Sequence, residues 1–542
     1  MAMPRRRSLY DGRMRVSAFL PALAWLAMLH SWALAEAPQV RSDGGRLRGL
    51  SVAALAHGGA FLGIPFAAQP VGALRWRAPQ QTPPWQGVKD ATHYGPACPQ
   101  FPSPWLPEML GVNRMPTAEA CLYLNVWTPN LHPAKRLPVF VWVHGGGNVE
   151  GSGEWPPLGV TLAEQGIVVV SINYRLGALG FLALPALSAE SREHVSGNYG
   201  HLDQIEALRW VRRNIEQFGG DPDRVTIGGQ SSGALDVCNL MASPLSRGLF
   251  ERAILQSGVC VDSVYPDLRA AETNGERLAR DLGIAPGPNM LRVLRDVSAE
   301  RILEASERDD ALDLEPNVDE DVLPRQPATT FAQGRQNRVA VLVGSNANEV
   351  SIFASPLVGG RSWRPKTVAE YQQWVRRKFG KYADTVLADY PAESDGEARR
   401  VFEQMDTDYD FAFGAWLLAR DTARIGKKAF LYKFTYVGAG PFAQLGAFHS
   451  EESMFLSRHY WKSWVKMPDD QPLSAAIVDY WAQFIKTGNP NRAGFPEWPP
   501  YDRPVCEELG RHIGPQPVPD LNRFAVFQDY LNARLQREQQ AN

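Results

Sequence analysis

Continuous apolar runs constrain the fold of this 542-residue chain more than any other feature. Residues 137–143 and 167–172 are rich in β-branched side chains, which is typical of strands buried on both faces of a mixed sheet. Apolar residues then recur at helical spacing over 204–218, and another strand begins at 225–227. This order of strand, helix and strand predicts an α/β fold.

Two mainly helical and more polar segments interrupt the strand pattern, at about residues 267–325 and 361–425. No internal repeat or low-complexity linker separates them from the rest of the chain. We therefore expect one domain over residues 36–542, with these segments as helical cap insertions. The net charge is −2, and the chain has no long basic run, so we expect no nucleic-acid partner.

The first 35 residues have the pattern of an export signal. Five arginines precede an apolar run at about 16–29, and Ala33 and Ala35 supply the small residues of a cleavage site. An N-terminal membrane anchor is the alternative, but the run is short for a span. We expect a signal peptide over residues 1–35, a secreted or periplasmic protein, and no membrane span after cleavage.

Export makes the five cysteines candidates for disulfides. Cys98 and Cys121 would close a loop of roughly 23 residues, an ordinary span for a bridge that contributes about 2–4 kcal/mol. Cys238, Cys260 and Cys506 leave an odd count, and the sequence does not decide whether Cys238 pairs with Cys260. No cysteine or histidine cluster has zinc spacing, so we expect no metal site.

The candidate chemistry begins at the G-x-S-x-G motif of residues 229–233. The motif follows a predicted strand and precedes a predicted helix, and in that context its glycines permit a sharp turn that exposes the serine hydroxyl. Ser231 is then the candidate nucleophile. The backbone N–H of Ser232, at the start of the helix, can help to bind an oxyanion.

A second glycine-rich motif, H-G-G-G at residues 144–147, follows the strand that ends at Val143. Successive glycines let backbone N–H groups approach a ligand oxygen. This arrangement is typical of the oxyanion loop of esterases and lipases. We assign oxyanion donors to Gly146 and Gly147, which complete a three-donor hole with Ser232. One such donor can contribute ~3 kcal/mol of transition-state stabilisation.

With these motifs in place, the chain resembles the type-B carboxylesterases of the cholinesterase and carboxylesterase group of α/β-hydrolases. The resemblance covers nearly the whole mature chain, and its pieces occur in the family's order: Phe61-Leu-Gly-Ile-Pro-Phe66, Cys121-Leu-Tyr-Leu-Asn-Val-Trp127, Asn173-Tyr-Arg-Leu-Gly177, Gly197-Asn-Tyr-Gly-His-Leu-Asp-Gln204 and Phe218-Gly-Gly-Asp-Pro222. It implies the α/β-hydrolase fold, with a large, mostly parallel mixed sheet flanked by helices. It also implies a disulfide between Cys98 and Cys121.

The other two members of a catalytic triad follow Ser231 in the chain order serine, acid, histidine. His449 lies in a segment that resembles the family's G-x-x-H-x-x-E, whereas His459 and His512 lie in less similar surroundings. We therefore expect His449 to be the general base. Glu349 follows a predicted strand in a segment that resembles the family's acid turn, and we expect it to orient the histidine.

Some residues depart from the family's pattern, among them Ala120, which precedes Cys121 where the family has aspartate. Gln230 stands where glutamate is usual, and Asn348 and Val350 flank Glu349 in place of a carboxylate and a glycine. Asn148 follows the H-G-G-G motif, where an aromatic residue is common. We expect Asn148 to lie beside the bound acyl group and to favour a polar or acidic acyl part.

The leading hypothesis is a secreted serine hydrolase that cleaves a small-molecule carboxylic ester through an acyl-enzyme, without a cofactor. An amide, carbamate or thioester hydrolase with the same triad is the alternative. A non-catalytic binding module similar to the neuroligins is a third, but such modules have typically lost the nucleophile. The natural ester and the oligomeric state stay open at this point.

Overall fold

A large mixed sheet organises the computed structural model, which describes residues 37–541 except 110, 112–113, 309–311, 313 and 361. The predicted signal peptide lies outside the described residues. Within them, the strands are β1 (Gln39–Ser42), β2 (Gly45–Arg48), β3 (Gly59–Pro65), β4 (Val88–Asp90), β5 (Tyr123–Thr128), β6 (Leu137–Val143), β7 (Val168–Ile172), β8 (Gly220–Gln230), β9 (Arg252–Gln256), β10 (Ala340–Asn346), β11 (Ala429–Phe434), β12 (Val505–Leu509) and β13 (Ile513–Pro517).

Helices connect most of these strands. The α-helices of the described ranges are α1 (Leu106–Met109), α2 (Gly159–Ala163), α3 (Gly177–Phe181), α4 (Pro185–Glu190), α5 (Tyr199–Asn214), α6 (Ser232–Ala242), α7 (Leu268–Asp281), α8 (Met290–Asp296), α9 (Ala299–Arg308), α10 (Pro327–Ala332), α11 (Val368–Phe379), α12 (Ala383–Asp389), α13 (Asp395–Thr407), α14 (Phe413–Arg424), α15 (Glu451–Ser457), α16 (Asp470–Thr487) and α17 (Phe524–Ala541).

The central sheet has ten strands in the order β13-β12-β11-β10-β9-β8-β6-β7-β5-β3. Its strands from β12 to β7 pair in parallel, and antiparallel strands complete both edges. A small separate sheet contains β1, β2 and β4. The α/β class and the mostly parallel mixed sheet predicted from the apolar runs are therefore confirmed.

The strand β6 shows why those runs contain so few polar residues. Val139, Val141 and Val143 face one hydrophobic cluster, and Phe140 and Trp142 face another on the opposite side of the sheet. Helices α5 and α6 contribute to the first cluster, and α2 and α16 to the second. Full burial of each such side chain contributes roughly 1.5–3 kcal/mol, so both faces of the strand must be apolar.

The segments predicted as cap insertions are helical. The first contains α7, α8 and α9, and the second contains α11 to α14 with one π-helical turn at Asp408–Ala412. Helix α14 differs from a cap helix because it packs against β10 and β11. Its buried face, which includes Leu417 and Leu418, covers the sheet itself.

Two disulfides cross-link the part of the chain that carries the sequence motifs. Cys98 is joined to Cys121, as the family resemblance implies, and Cys238 is joined to Cys260. Cys506 is a free, buried thiol, and burial raises its pKa to about 12. Among the described helices, none combines the length and the apolar character that crossing a bilayer requires.

Candidate active site

Ser231 lies at a sharp turn between β8 and α6, with φ 58° and ψ −131°. Its N–H donates to the carbonyl of Gln256 on the adjacent strand at 2.8 Å. A Cβ on Gly229 would lie 2.4 Å from the backbone of Gly233, and a Cβ on Gly233 would lie 2.3 Å from the carbonyl oxygen of Val143. Both motif glycines are therefore required by close backbone contacts, which force the serine into this conformation.

His449 and Glu349 form a buried pair. The Nδ1 of His449 donates to Oε2 of Glu349 at 2.6 Å, and the backbone N–H of Asn346 donates to the other carboxylate oxygen, also at 2.6 Å. The rings of Phe353 and Phe411 lie 5.1 and 5.2 Å from the imidazole ring. Because Nδ1 carries the proton, Nε2 has the lone pair that a general base needs.

The loops that carry the acid and the base are joined directly to each other. The N–H of Asn348 donates to the carbonyl of Ala447 at 2.9 Å, and the N–H of Ala447 donates to Oδ1 of Asn348 at 3.0 Å. Gly446 has φ 67°, and a Cβ there would lie 2.2 Å from the same Oδ1. The departure from the family's pattern at Asn348 therefore has a role, since this side chain binds the loop that leads to His449.

Gln230 contacts the histidine on its other nitrogen. Its Nε2 donates to Nε2 of His449 at 3.0 Å. No hydrogen bond within the described ranges involves the Ser231 hydroxyl, so Nε2 of His449 is paired with Gln230 instead of with the serine. Hydrogen bonds between catalytic groups commonly form or shorten only when substrate binds. The sequence marks Gln230 as unusual but does not reveal this contact.

The glycines after β6 form a loop beside the serine. Gly146 has φ 111° and Gly147 has φ 63°, and a Cβ on Gly146 would lie 2.3 Å from the carbonyl oxygen of Glu150. The N–H groups of Gly146, Gly147 and Ser232 have no hydrogen-bond acceptor among the described residues. Unpaired N–H donors on a loop and on a helix N-terminus can bind a developing negative oxygen.

Asn148, the next residue of this loop, is only 8% exposed. Its Nδ2 donates to Oδ1 of Asp236 at 3.1 Å, and the hydroxyl of Tyr174 donates to its Oδ1 at 3.1 Å. Sequence reasoning missed both partners, because neither is near Asn148 in the chain. The expected contact between Asn148 and an acyl group stays a prediction.

Other titratable side chains surround the site. His144 stacks on Tyr174 at 4.4 Å, and burial lowers its pKa to about 4, so the imidazole is neutral at neutral pH. Burial, and then the nearby charge of Glu349, raise the pKa of Glu452, whose carboxyl accepts from Asn346 Nδ2 at 2.7 Å. The competing candidate base His459 instead contacts the carbonyl of Met109 at 2.8 Å.

No group of three His, Cys, Asp or Glu residues within the described ranges has the geometry of a metal site. The arrangement instead brings together a serine hydroxyl, a histidine oriented by a buried carboxylate, and unpaired N–H donors. These are the groups that nucleophilic acyl transfer requires.

Comparison with known proteins gives a consistent result. The model of the carboxylesterase family matches residues 36–517. Fumonisin B1 esterase of Sphingopyxis macrogoltabida is 36% identical over 520 residues, with 93% of each chain covered. Liver carboxylesterase 1 of Oryctolagus cuniculus is 34% identical over 525 residues, covering 89% of this chain and 91% of the relative. A solved PNB esterase superposes with a TM-score of 0.76 at 30% identity, covering 90% of this chain and 99% of that one.

Proposed function

The chain belongs to the carboxylesterase family and is a carboxylic ester hydrolase, and from this premise we propose that it acts through a Ser231–His449–Glu349 triad and an acyl-enzyme. The observation that carries the proposal is the buried 2.6 Å contact between His449 and Glu349, on loops that also bind each other. A carboxylate in this position orients the imidazole and stabilises its protonated form.

In the first half of the reaction, the Ser231 oxygen attacks the ester carbonyl while its proton passes to Nε2 of His449. This step requires His449 to exchange its contact with Gln230 for one with Ser231. The carbonyl oxygen becomes negative and accepts hydrogen bonds from the N–H groups of Gly146, Gly147 and Ser232. The C–O bond then breaks, and His449 returns the proton to the leaving alcohol.

In the second half, water replaces the alcohol. His449 removes a proton from the water as its oxygen attacks the acyl carbon, and the same N–H donors stabilise the second tetrahedral intermediate. The bond to Ser231 breaks, the serine oxygen takes the proton back from His449, and the carboxylic acid leaves. The cycle requires no cofactor.

The substrate part of the proposal is coarser. The family supports a small-molecule carboxylic ester, and the preference for a polar or acidic acyl part stays a prediction, because the amide of Asn148 is paired within the protein. Because one relative is named fumonisin B1 esterase, fumonisin B1 is a specific test substrate. Amides, carbamates and thioesters contain the same acyl carbon, so paired ester and amide substrates of one acid will separate these classes.

We also propose that residues 1–35 direct export and that the mature chain is secreted or periplasmic. Two disulfides support an oxidising compartment, because such bonds rarely persist in a reducing cytosol. Protein sequencing of the N-terminus of the exported form tests the cleavage site after Ala35.

The central test compares wild type with Ser231→Ala on p-nitrophenyl esters from acetate to dodecanoate. We expect kcat to fall by about 10⁴-fold or more, because the nucleophile is lost. We also expect an organophosphate to add one adduct mass to the wild type and none to the variant, as measured by intact-protein mass spectrometry.

Ser257→Ala is the matched control. Ser257 is a buried serine that also has positive φ, at 53°, and its hydroxyl has no hydrogen-bond partner among the described residues. Its removal should change kcat by less than about twofold, since no hydrogen bond is lost. Full activity in Ser231→Ala would overturn the triad. A folded wild type that is neither active nor labelled would favour the non-catalytic binding module.

A further inference from the structure

We propose that Asn148 is a positioning residue for the oxyanion hole: its side-chain amide ties the Gly146–Gly147 loop to α6, the helix whose first N–H is the third donor. This inference rests on the proposed function, because it assumes that these N–H groups bind the oxyanion. It assigns to Asn148 a role that does not require contact with substrate.

Every polar group of Asn148 has a partner. Its N–H donates to Oγ of Ser232 at 3.1 Å, and its carbonyl accepts from the N–H of Gly177 at 2.7 Å. Its Nδ2 donates to Asp236 at 3.1 Å, and its Oδ1 accepts from Tyr174 at 3.1 Å. One residue thus connects the oxyanion loop to α6 at two points, through Ser232 and through Asp236.

Asp236 is a firm anchor for this contact. The residue is fully buried on α6, and its carboxylate also accepts from Nε2 of His201 at 3.1 Å and from Nε2 of Gln204 at 2.6 Å. Both donors belong to α5, which packs against α6 and β8. Hydrogen bonds to a buried carboxylate are stronger than those between neutral groups. The amide of Asn148 is therefore attached to a rigid part of the fold.

The Gly146–Gly147 loop needs the contact with Asp236 because glycine residues leave its backbone free to adopt many conformations. Gly146 and Gly147 both have positive φ, and neither has a side chain that could hold the loop in place. Asn148 also has positive φ, at 58°, a conformation in which asparagine is enriched. An aromatic residue at this position would lack an amide, so the Asn148–Asp236 contact distinguishes this chain from the common family pattern.

The first test is Asn148→Gly, which removes the amide but accepts the same backbone conformation. We expect kcat per titrated active site to fall by about tenfold or more while KM changes by less than about threefold, since the donors act mainly on the transition state. The inhibition constant of a trifluoromethyl ketone should rise by a similar factor, because its adduct with Ser231 places an oxyanion in the same hole.

The control is His194→Gly. His194 is exposed and has the same φ of 58°, so this variant adds the same backbone freedom at a position outside the Gly146–Gly147 loop. We expect wild-type kcat and wild-type inhibition by the ketone. Titration with an organophosphate counts folded, competent sites in each preparation, so a loss of folded protein changes the titre and leaves kcat per site unaltered.

A second variant keeps the proposal testable if Asn148→Gly does not fold. Asn148→Asp places a carboxylate against Asp236, and we expect a fall in kcat of about 100-fold, because two buried like charges repel.

The outcomes separate this inference from the proposed function. Wild-type kcat per site and ketone affinity in folded Asn148→Gly would overturn the positioning role, and so would wild-type kcat per site in Asn148→Asp. A change in preference between polar and aliphatic acyl esters, with ketone affinity unaltered, would assign Asn148 to substrate contact instead. A wild type that is neither active nor labelled would overturn both proposals.

Discussion

Two groups of residues flank Ser231, and each is positioned by a different kind of interaction. The base side, which contains His449 and Glu349, consists of two loops joined by hydrogen bonds of side chains such as Asn348. The oxyanion side consists of residues 144–151 and α6, and both are connected to segments that contain a disulfide. Disulfide 238–260 begins on α6, and Gln100, next to the 98–121 disulfide, contacts Gly151 through two hydrogen bonds of 2.8 Å.

This difference follows from what each side contributes. A histidine side chain is positioned by partners of its own two ring nitrogens, and hydrogen bonds supply these. Oxyanion donors are backbone groups, which can be positioned only by restraining the chain on either side of them. In the proposed site the buried Asn148–Asp236 contact provides that restraint, and the cross-links stabilise the fold around it.

The largest expected effect that tests this comparison comes from Glu349→Gln. Because the amide can donate to the imidazole and favour the wrong tautomer, we expect kcat to fall by about 10⁴-fold. The melting temperature should change little, since the hydrogen bonds of Asn348 remain. Steady-state hydrolysis and thermal unfolding of the same preparation will measure both.

Glu451→Gln is the control for that variant. Glu451 is also buried and close to His449 in the chain, and burial raises its pKa well above the usual range. Its Oε2 accepts from the N–H of Phe448, a contact that glutamine preserves. We expect kcat to stay within about threefold. Equal losses of kcat in Glu349→Gln and Glu451→Gln would mean that Glu349 does not orient His449.

A smaller effect is expected from Gln230→Glu. A carboxylate in place of an amide 3.0 Å from His449 Nε2 will favour the protonated imidazole. The acid limb of kcat/KM should therefore move to higher pH by about one unit or more, so activity near pH 6 falls more than activity near pH 8.

Gln230→Leu isolates the effect of charge, since it removes the amide without adding a carboxylate. Its acid limb should lie closer to that of wild type than the limb of Gln230→Glu does. If the three pH profiles coincide, the contact between Gln230 and His449 does not affect the pH dependence of kcat/KM. The side chain of residue 230 is then not coupled to the protonation of His449.

The smallest catalytic effect is expected from Cys238→Ala/Cys260→Ala. Loss of a bridge that closes a 22-residue interval removes about 3 kcal/mol from the free energy of unfolding, or ~3 °C of melting temperature for a chain of this size. We expect kcat per titrated site to stay within about twofold, because the contact between Asn148 and Asp236 remains.

The matched variant Cys98→Ala/Cys121→Ala tests the other cross-link, which spans a similar 23 residues. Differential scanning calorimetry and active-site titration measure stability and competent sites together. A tenfold loss of kcat per site in either double variant would show that the disulfide itself, rather than the buried amide contact, positions the donors.

The features that the sequence predicted correctly are local ones, whereas contacts between residues far apart in the chain were not predicted. The apolar run predicted β6 at residues 137–143, and the serine motif predicted the turn between β8 and α6, since both signals are local. The contact of Phe411 with His449 could not be predicted, because it depends on a π-helical turn in a segment that carries no motif.

The strands of the sheet, the strand-to-helix turn at Ser231 and the glycines beside it can be predicted from local sequence patterns. Hydrophobic burial and backbone conformation act over a few residues, so the chain records them directly. The contact of Gln230 with His449, and that of Asn148 with Asp236, 88 residues away, become visible only in the folded chain. Such contacts depend on how β6, β8 and α6 pack against one another. The sequence around Gln230 or Asn148 is the same whether the side chain faces a substrate or the protein interior, so it does not reveal the partner.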